Sequence, residues 1–292
     1  MNFIIPKISK KSKSINIKEE KNEERLKEAI EELNSLIGLT NVKEVINEIR
    51  AYIEIQKKRQ KEGLTTTPMV LHMIFKGNPG TGKTTVARIL GKIFKELGVL
   101  EKGHLIEVER ADLVGEYIGH TAQKVRENIK KAMGGILFVD EAYSLARGGE
   151  KDFGKEAIDT IVKAMEDYKD KFIIILAGYT NEMEEFLRTN PGLRSRFPIH
   201  IEFSDYTIDE LLKIAELMVE KRQYTLSLEA KRKIMKILLK NIANNNIKTG
   251  NARLVRNIIE RAIRKHAVRI LSKKTTITKK DLMIIEAEDI VE

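Results

Sequence analysis

Residues 77–84 read Gly-Asn-Pro-Gly-Thr-Gly-Lys-Thr, a full match to G-x-x-x-x-G-K-[ST]. Gly77, Gly80 and Gly82 let the chain turn tightly around Asn78, Pro79 and Thr81 with no side chain in the way. Backbone N–H groups can then converge on phosphate oxygens. Lys83 reaches β- and γ-phosphates as a point charge, the Thr84 hydroxyl suits Mg²⁺, and Thr85 follows in the first helical turn. The helix that starts there adds the positive end of its dipole. A glycine turn with a surface lysine is the plain alternative, but the strand-like run Val70–Phe75 before the loop and the helical pattern after it favour a nucleoside triphosphate.

A second pair of groups suits the same chemistry. Ile136-Leu137-Phe138-Val139 is followed directly by Asp140 and Glu141. Adjacent carboxylates repel unless a cation offsets the cost. Asp140 would hold Mg²⁺, and Glu141 would orient and deprotonate an attacking water. Alone, Asp-Glu also reads as a helix N-cap pair; with the phosphate loop upstream, it reads as the other edge of an ATP site.

These groups need a sheet to bring them together. Five strand-sized runs, Leu71–Phe75, Leu105–Glu109, Ile136–Asp140, Phe172–Ala177 and Ile199–Phe203, alternate with helical patterns. Such alternation predicts an α/β fold with a parallel sheet covered by helices on both faces. Right-handed crossovers put the strand C-termini and their loops along one edge. Two helices, from Glu23 and from about Val42 to Arg59, precede the sheet. After Phe203 the strand signal stops. Asp205 or Thr207 caps a helix through Leu211–Met218, and helices over Leu228–Ile242, Ala252–Leu271 and Lys279–Ile285 follow. The expected organisation is a poorly ordered basic leader (1–20), an α/β nucleotide-binding domain (21–204) and an all-helical lid (205–292).

Further candidates follow from this layout. In an additional-strand ATPase the strand Phe172–Ala177 lies between the two that carry the site. A polar residue past its end then senses the γ-phosphate: Asn181 or Thr180, unless Tyr179 takes that place. Arg196, with Arg194 second, sits in a polar turn at the domain flank, suited to reach a neighbouring subunit's ATP as an arginine finger; a surface ion pair is the alternative. Arg253, or Arg256 one turn on, can reach back from the lid to the γ-phosphate. Tyr117 and Ile118 lie between Gly115 and Gly119. They either grip an extended polypeptide through apolar contact or tuck into the core. His120 reads as a loop hydrogen-bonder, with no second metal ligand in sight.

Composition bounds the rest. There is no cysteine, which excludes disulfides, thiolate metal sites and a cysteine nucleophile and fits a cytoplasmic location. No apolar run approaches the roughly 18 residues of a membrane span, and the N-terminus lacks a signal-peptide h-region. The net charge of +10 is concentrated in residues 227–280, which hold sixteen lysines and arginines against two acids. A nucleic-acid surface and a solvated helical surface both suit such charge. The absence of aromatic residues among it favours the second.

The residues quoted carry a family resemblance. The chain resembles the AAA+ ATPases, and within them the group of red-type Rubisco activases and stage V sporulation protein K. The resemblance rests on Leu36-Ile37-Gly38-Leu39, Leu71 through Thr85, Lys102–Leu105, Asp112–Ala122, Ala177-Gly178-Tyr179 and Asn190–Phe197. Residues 145–157 lean to the sporulation branch. The resemblance implies a ring-shaped homohexamer with ATP and Mg²⁺ between subunits, Ile37 and Gly38 at the adenine, and Tyr117 and Ile118 threading a protein client. It also implies Arg196 as the trans finger and Arg253 as second sensor. Ala177-Gly178-Tyr179-Thr180-Asn181 departs from the usual AAA+ strand ending, so the first sensor stays open. The expected activity is ATP-driven protein remodelling linked to sporulation. An ATP-gated scaffold or switch, or a nucleic-acid motor or loader, are the rival readings.

Overall fold

The computed structural model describes residues 10–67, 69–117, 119–147, 152–243 and 250–291. Five parallel strands, β1 (Met73–Gly77), β2 (Leu105–Val108), β3 (Ile136–Val139), β4 (Ile173–Gly178) and β5 (Ile199–Phe203), lie in the order β2-β3-β4-β1-β5. β4 therefore sits between the strands that lead to the phosphate loop and to Asp140. Every residue of β1, β3 and β4 is buried, whereas β5, at the edge, alternates buried and exposed. Continuous apolar runs are what a strand covered on both faces requires.

Two cores flank the sheet. On one face α1 (Lys10–Asn34), α2 (Thr40–Lys61) and α3 (Lys83–Glu96) pack Leu33, Ile46 and Phe94 against Phe75 and Phe138. On the other, α4 (Arg110–Leu113), α5 (His120–Ala132), α6 (Gly154–Asp167), α7 (Thr180–Thr189) and α8 (Pro191–Arg196) bury Val125, Ile161, Met183 and Leu193 against Ile74 and Val139. Register aligns the strand ends: Lys76 pairs with Gly178, and Val139 with Leu176. The chain segments after β1, β3 and β4 thus leave the sheet side by side, where open α/β sheets bind ligands.

Three sequence expectations change. The first helix begins at Lys10 rather than Glu23, so much of the segment expected as a poorly ordered leader is helical. Lysine and glutamate suit a helix, and no glycine or proline interrupts the stretch. Residues 1–9 lie outside the described residues. The turn expected around Arg194 and Arg196 is the short helix α8, with Pro191 pre-setting its first turn. In the lid, Thr207 rather than Asp205 caps α9 (Ile208–Glu220), in a capping box with Glu210.

The lid continues through α10 (Leu228–Ala243), α11 (Asn251–Leu271) and α12 (Lys279–Met283) around Leu211, Ile234, Leu238 and Ile259. It is helical as expected, with one addition. Thr225–Leu226 (β6) pairs in parallel with Ile284–Ile285 (β7), so the last helix stops at Met283. β-Branched Ile284 and Ile285 favour the extended form.

Candidate nucleotide-binding and catalytic site

The loop between β1 and α3 is held from the lid side. At Gly80 (φ +74°) an added Cβ would stand 2.4 Å from Gly250 O and 2.9 Å from Arg253 N, so only glycine lets the start of α11 approach this closely. Ala252 N donates to Gly80 O at 3.2 Å. Thr81 is buried and its hydroxyl donates to Asn78 O at 2.8 Å. The Tyr206 hydroxyl donates to Thr81 O at 3.1 Å, and Asn78 Nδ2 reaches both Asp205 oxygens at 2.9 Å. Asn251 closes the frame: its Nδ2 donates to Asp205 Oδ1 at 2.8 Å and its Oδ1 accepts from Tyr206 N at 3.0 Å. Asp205, one of two residues expected to cap a helix, instead anchors the phosphate loop.

Lys83 Nζ donates to Gly77 O at 2.7 Å and to Asn78 O at 2.9 Å. Burial lowers its pKa to about 8; Asp140 opposes that shift and the Arg253 guanidinium adds to it. These influences run between residues from β1's loop, β3's end and the lid, so the three converge electrostatically. Glu141 follows β3 in the left-handed region (φ +47°, ψ +43°), and its N–H donates to Asp140 Oδ1 at 3.0 Å. A non-glycine residue costs on the order of 1–2 kcal/mol there, and such strain persists where the surroundings impose it. The 3₁₀ segment Ala142–Ala146, buried from Ala142 to Leu145, fixes the chain immediately after it.

Around these groups is a cavity of about 720 Å³. Pro79, Gly80, Gly82, Lys83, Thr84 and Thr85 line its phosphate end, with Asp140, Glu141 and Arg253 facing them. Leu36, Ile37 and Leu39 on one side and Ile214, Leu217 and Met218 of α9 on the other make its apolar end. Ile37 is thus on the wall that suits a base. Gly38 is not; its role is conformational, since at φ +63° a Cβ would stand 2.3 Å from Glu210 Oε1. Gly77, Asn78 and Thr81 build the loop without lining the cavity. Arg256 lines it beside Arg253.

The structure separates the three residues left open past β4. β4 extends to Gly178, which makes Tyr179 the N-cap of α7 and puts Thr180 and Asn181 in its first turn. Tyr179 lines the cavity and stacks on Tyr143 at 5.7 Å, while Asn181 is exposed and outside it. Burial foremost, and the Glu141 carboxylate next, raise the Tyr179 pKa, so the phenol stays a neutral donor.

Arg194 and Arg196 also stand outside their own chain's cavity. Arg196 is ion-paired with Glu166 and donates to Gly192 O at 2.9 Å. Arg194 is exposed, and its side chain makes no hydrogen bond or ion pair with another described residue. Tyr117 is 66% exposed, which removes the reading that tucks it into the core; its ring meets His120 edge-on at 5.5 Å. Ile118 lies outside the described residues. The base of this loop is fixed, because Gly115 N donates to the buried Thr121 Oγ1 at 2.9 Å. Among the described residues no cluster of histidine, cysteine and carboxylate suggests a separate metal centre.

The donor set fits a magnesium nucleotide. Thr84 and Asp140 are hard oxygen donors at the phosphate end, of the kind that holds Mg²⁺ beside substrate phosphates. The Gly80 cradle excludes any Cβ, and Lys83 rests on carbonyls it can leave. Sequence reasoning missed Asp205, Tyr206 and Asn251, whose only signal was their position at the ends of lid helices.

The family model described as AAA lid domain matches residues 207–292, and that for the ATPase family associated with various cellular activities (AAA) matches residues 73–205. Stage V sporulation protein K of Bacillus subtilis is 57% identical over 266 residues, covering 91% of this chain and 82% of that one. The chloroplastic ribulose bisphosphate carboxylase/oxygenase activase of Cyanidioschyzon merolae is 44% identical over 281 residues, covering 95% of both. Among solved structures, a RuvB mutant of Thermotoga maritima superposes with a TM-score of 0.55 at 21% identity, covering 88% of this chain and 69% of that one, a likeness of fold. With its phosphate loop, paired carboxylates and helical lid closed on one cavity, the chain belongs to the AAA family of ATPases.

Proposed function

We propose that this ATPase assembles into a ring, a hexamer, and uses hydrolysis to pull on a protein client in a sporulation setting. The observation that carries the reading is the exposed Tyr117 on a fixed base, tied to the segment that follows Glu141. Arg110, at the start of α4, donates to Ser144 O in that 3₁₀ segment and is ion-paired with Asp152. The chain runs from α4 straight into the Tyr117 loop. A change around Glu141 therefore has a short mechanical route to the aromatic tip.

Within the site, Glu141 takes the proton of the attacking water. Tyr179 donates to the γ-phosphate oxygens as first sensor, and Lys83 leaves the Gly77 and Asn78 carbonyls for the phosphates. Thr84 and Asp140 would hold Mg²⁺, which supplies neutralisation of the charge on the transferring phosphoryl. Arg253 reports the nucleotide to the lid, and the Asp205–Tyr206–Asn251 frame carries that motion to the phosphate loop. Arg196, with Arg194 beside it, completes the neighbouring subunit's site. Their position outside their own cavity supports this, as does the exposure of the ion pair that holds Arg196, since such pairs exchange readily.

Glu141→Gln should keep ATP binding and lower turnover by roughly 10²–10⁴-fold, the usual contribution of a positioned base. Parental turnover in that variant would remove the catalytic assignment. Tyr117→Ala should leave ATP binding and basal turnover within about twofold, because the ring is largely exposed and neither Tyr117 nor His120, its ring neighbour, lines the nucleotide cavity. It should also abolish ATP-dependent retention and remodelling of the client captured by the Glu141→Gln protein. Unimpaired remodelling by Tyr117→Ala would instead favour a nucleotide-gated scaffold.

A further inference from the structure

Two tyrosines stand on the wall of the nucleotide cavity, one beyond each of two neighbouring strands. Tyr143 comes after β3, two residues past Glu141, in the 3₁₀ segment Ala142–Ala146; Tyr179 follows β4 directly. Their rings stack, with centroids 5.7 Å apart and planes 26° from parallel, within the separation of an aromatic pair. The contact depends on Gly178. A Cβ added there would stand 2.6 Å from Tyr143 Cδ1, so only glycine as the last residue of β4 lets the ring come this close.

Neither phenol hydroxyl makes a hydrogen bond with another described residue. The aim of each ring is therefore set by packing. Tyr143 is buried, whereas Tyr179 is half-buried, so Tyr143 is the fixed member of the pair. Arg147, at the end of the same 3₁₀ segment, adds a cation–π contact: its guanidinium carbon lies 4.5 Å from the centre of the Tyr143 ring. Burial, and next the Glu141 carboxylate, raise the Tyr143 pKa as they do that of Tyr179, so both rings stay neutral. A hydroxyl that is held in place before ATP arrives need not be ordered at the moment of reaction. We infer that Tyr143 is a positioning residue for ATP hydrolysis: its ring, steadied by Arg147, aims the Tyr179 hydroxyl at the γ-phosphate. This role rests on the reading of Tyr179 as first sensor.

The test is the steady-state ATPase of the full chain, with ADP affinity and melting temperature measured alongside. Tyr143→Leu should lower kcat roughly two- to tenfold, the rate equivalent of one aromatic pair. Its ADP dissociation constant should stay within about twofold, since ADP has no γ-phosphate for Tyr179 to meet. Tyr143→Phe keeps the ring and should turn over at the parental rate. Arg147→Ala, at an exposed residue, should lower kcat roughly two- to fivefold without lowering the melting temperature. In a Tyr179→Phe background neither Tyr143→Leu nor Arg147→Ala should cost anything further, because the hydroxyl they position is gone. If Tyr143→Leu does not fold, Arg147→Ala carries the same comparison. Parental kcat in both variants, ADP affinity that falls in step with kcat, or a Tyr143→Phe protein as slow as Tyr143→Leu would overturn the positioning role. So would losses that multiply in the Tyr179→Phe background, and each of these results leaves the sensor reading in place. A Tyr179→Phe protein with parental turnover would instead remove the sensor reading, and this role with it.

Discussion

Lys83 is the residue whose environment most directly reports nucleotide. Burial lowers its pKa from 10.5 to about 8 in the free protein. Between those values the unfolded chain holds the proton and the folded chain does not, so this lysine adds stability as pH rises from about 8 to 10.5. Phosphate oxygens at Lys83 restore the charge. ATP binding at pH 8 should therefore take up about half a proton per site, and affinity should fall as pH rises further. Calorimetric titration in buffers of different ionisation heat measures this uptake. Lys83→Arg, which stays protonated, should lose it while keeping a cation in place. Binding heats independent of buffer at pH 8 would show that Lys83 is already charged in the free site.

At the scale of elements, the close approach of α11 to the phosphate loop depends on Gly80. Gly80→Ala meets both a left-handed backbone and the Gly250 carbonyl. It should destabilise by more than about 1–2 kcal/mol, the cost of the backbone conformation alone, and weaken ATP binding as the lid is pushed away. Gly63→Ala is the matched control, since its φ is +70° but nothing lies within 4 Å of the added carbon. It should cost about 1 kcal/mol and leave ATP affinity unchanged; thermal melts and nucleotide titrations of the pair separate the two causes. The sheet, the phosphate loop and the paired carboxylates were legible because each is a local pattern: a continuous apolar run, a fixed spacing, a strand end. The Asp205–Tyr206–Asn251 frame was not, because it joins residues distant in sequence through side-chain hydrogen bonds. The pattern past β4 leaves Asn181, Thr180 and Tyr179 open as sensor candidates; β4 runs one residue further than its apolar run, and that step puts Tyr179 rather than Asn181 on the cavity wall. β6 and β7, two residues each, are too short to leave a periodic signal.

For the whole molecule, the basic lid bears on what the ATPase engages. Several of its cations are already balanced, Lys231 by Glu216 at 2.6 Å and Lys273 by Asp281 at 2.7 Å. Such exposed pairs add little stability, but they lower the charge a nucleic acid would meet and support a solvated surface. No helix among the described residues is long and apolar enough to cross a membrane. The central claim is that one subunit's Lys83, Asp140 and Glu141 form a site that a neighbour's Arg196 completes. Glu141→Gln and Arg196→Ala proteins, each expected to be nearly inactive alone, should fail on opposite sides of that junction. The measurement is the ATPase rate of their equimolar mixture after dissociation and reassembly. A head-to-tail ring predicts recovery to about a quarter of the wild-type rate, from sites where an Arg196→Ala subunit receives the arginine of a Glu141→Gln neighbour. A mixture no faster than its parents would contradict the shared site.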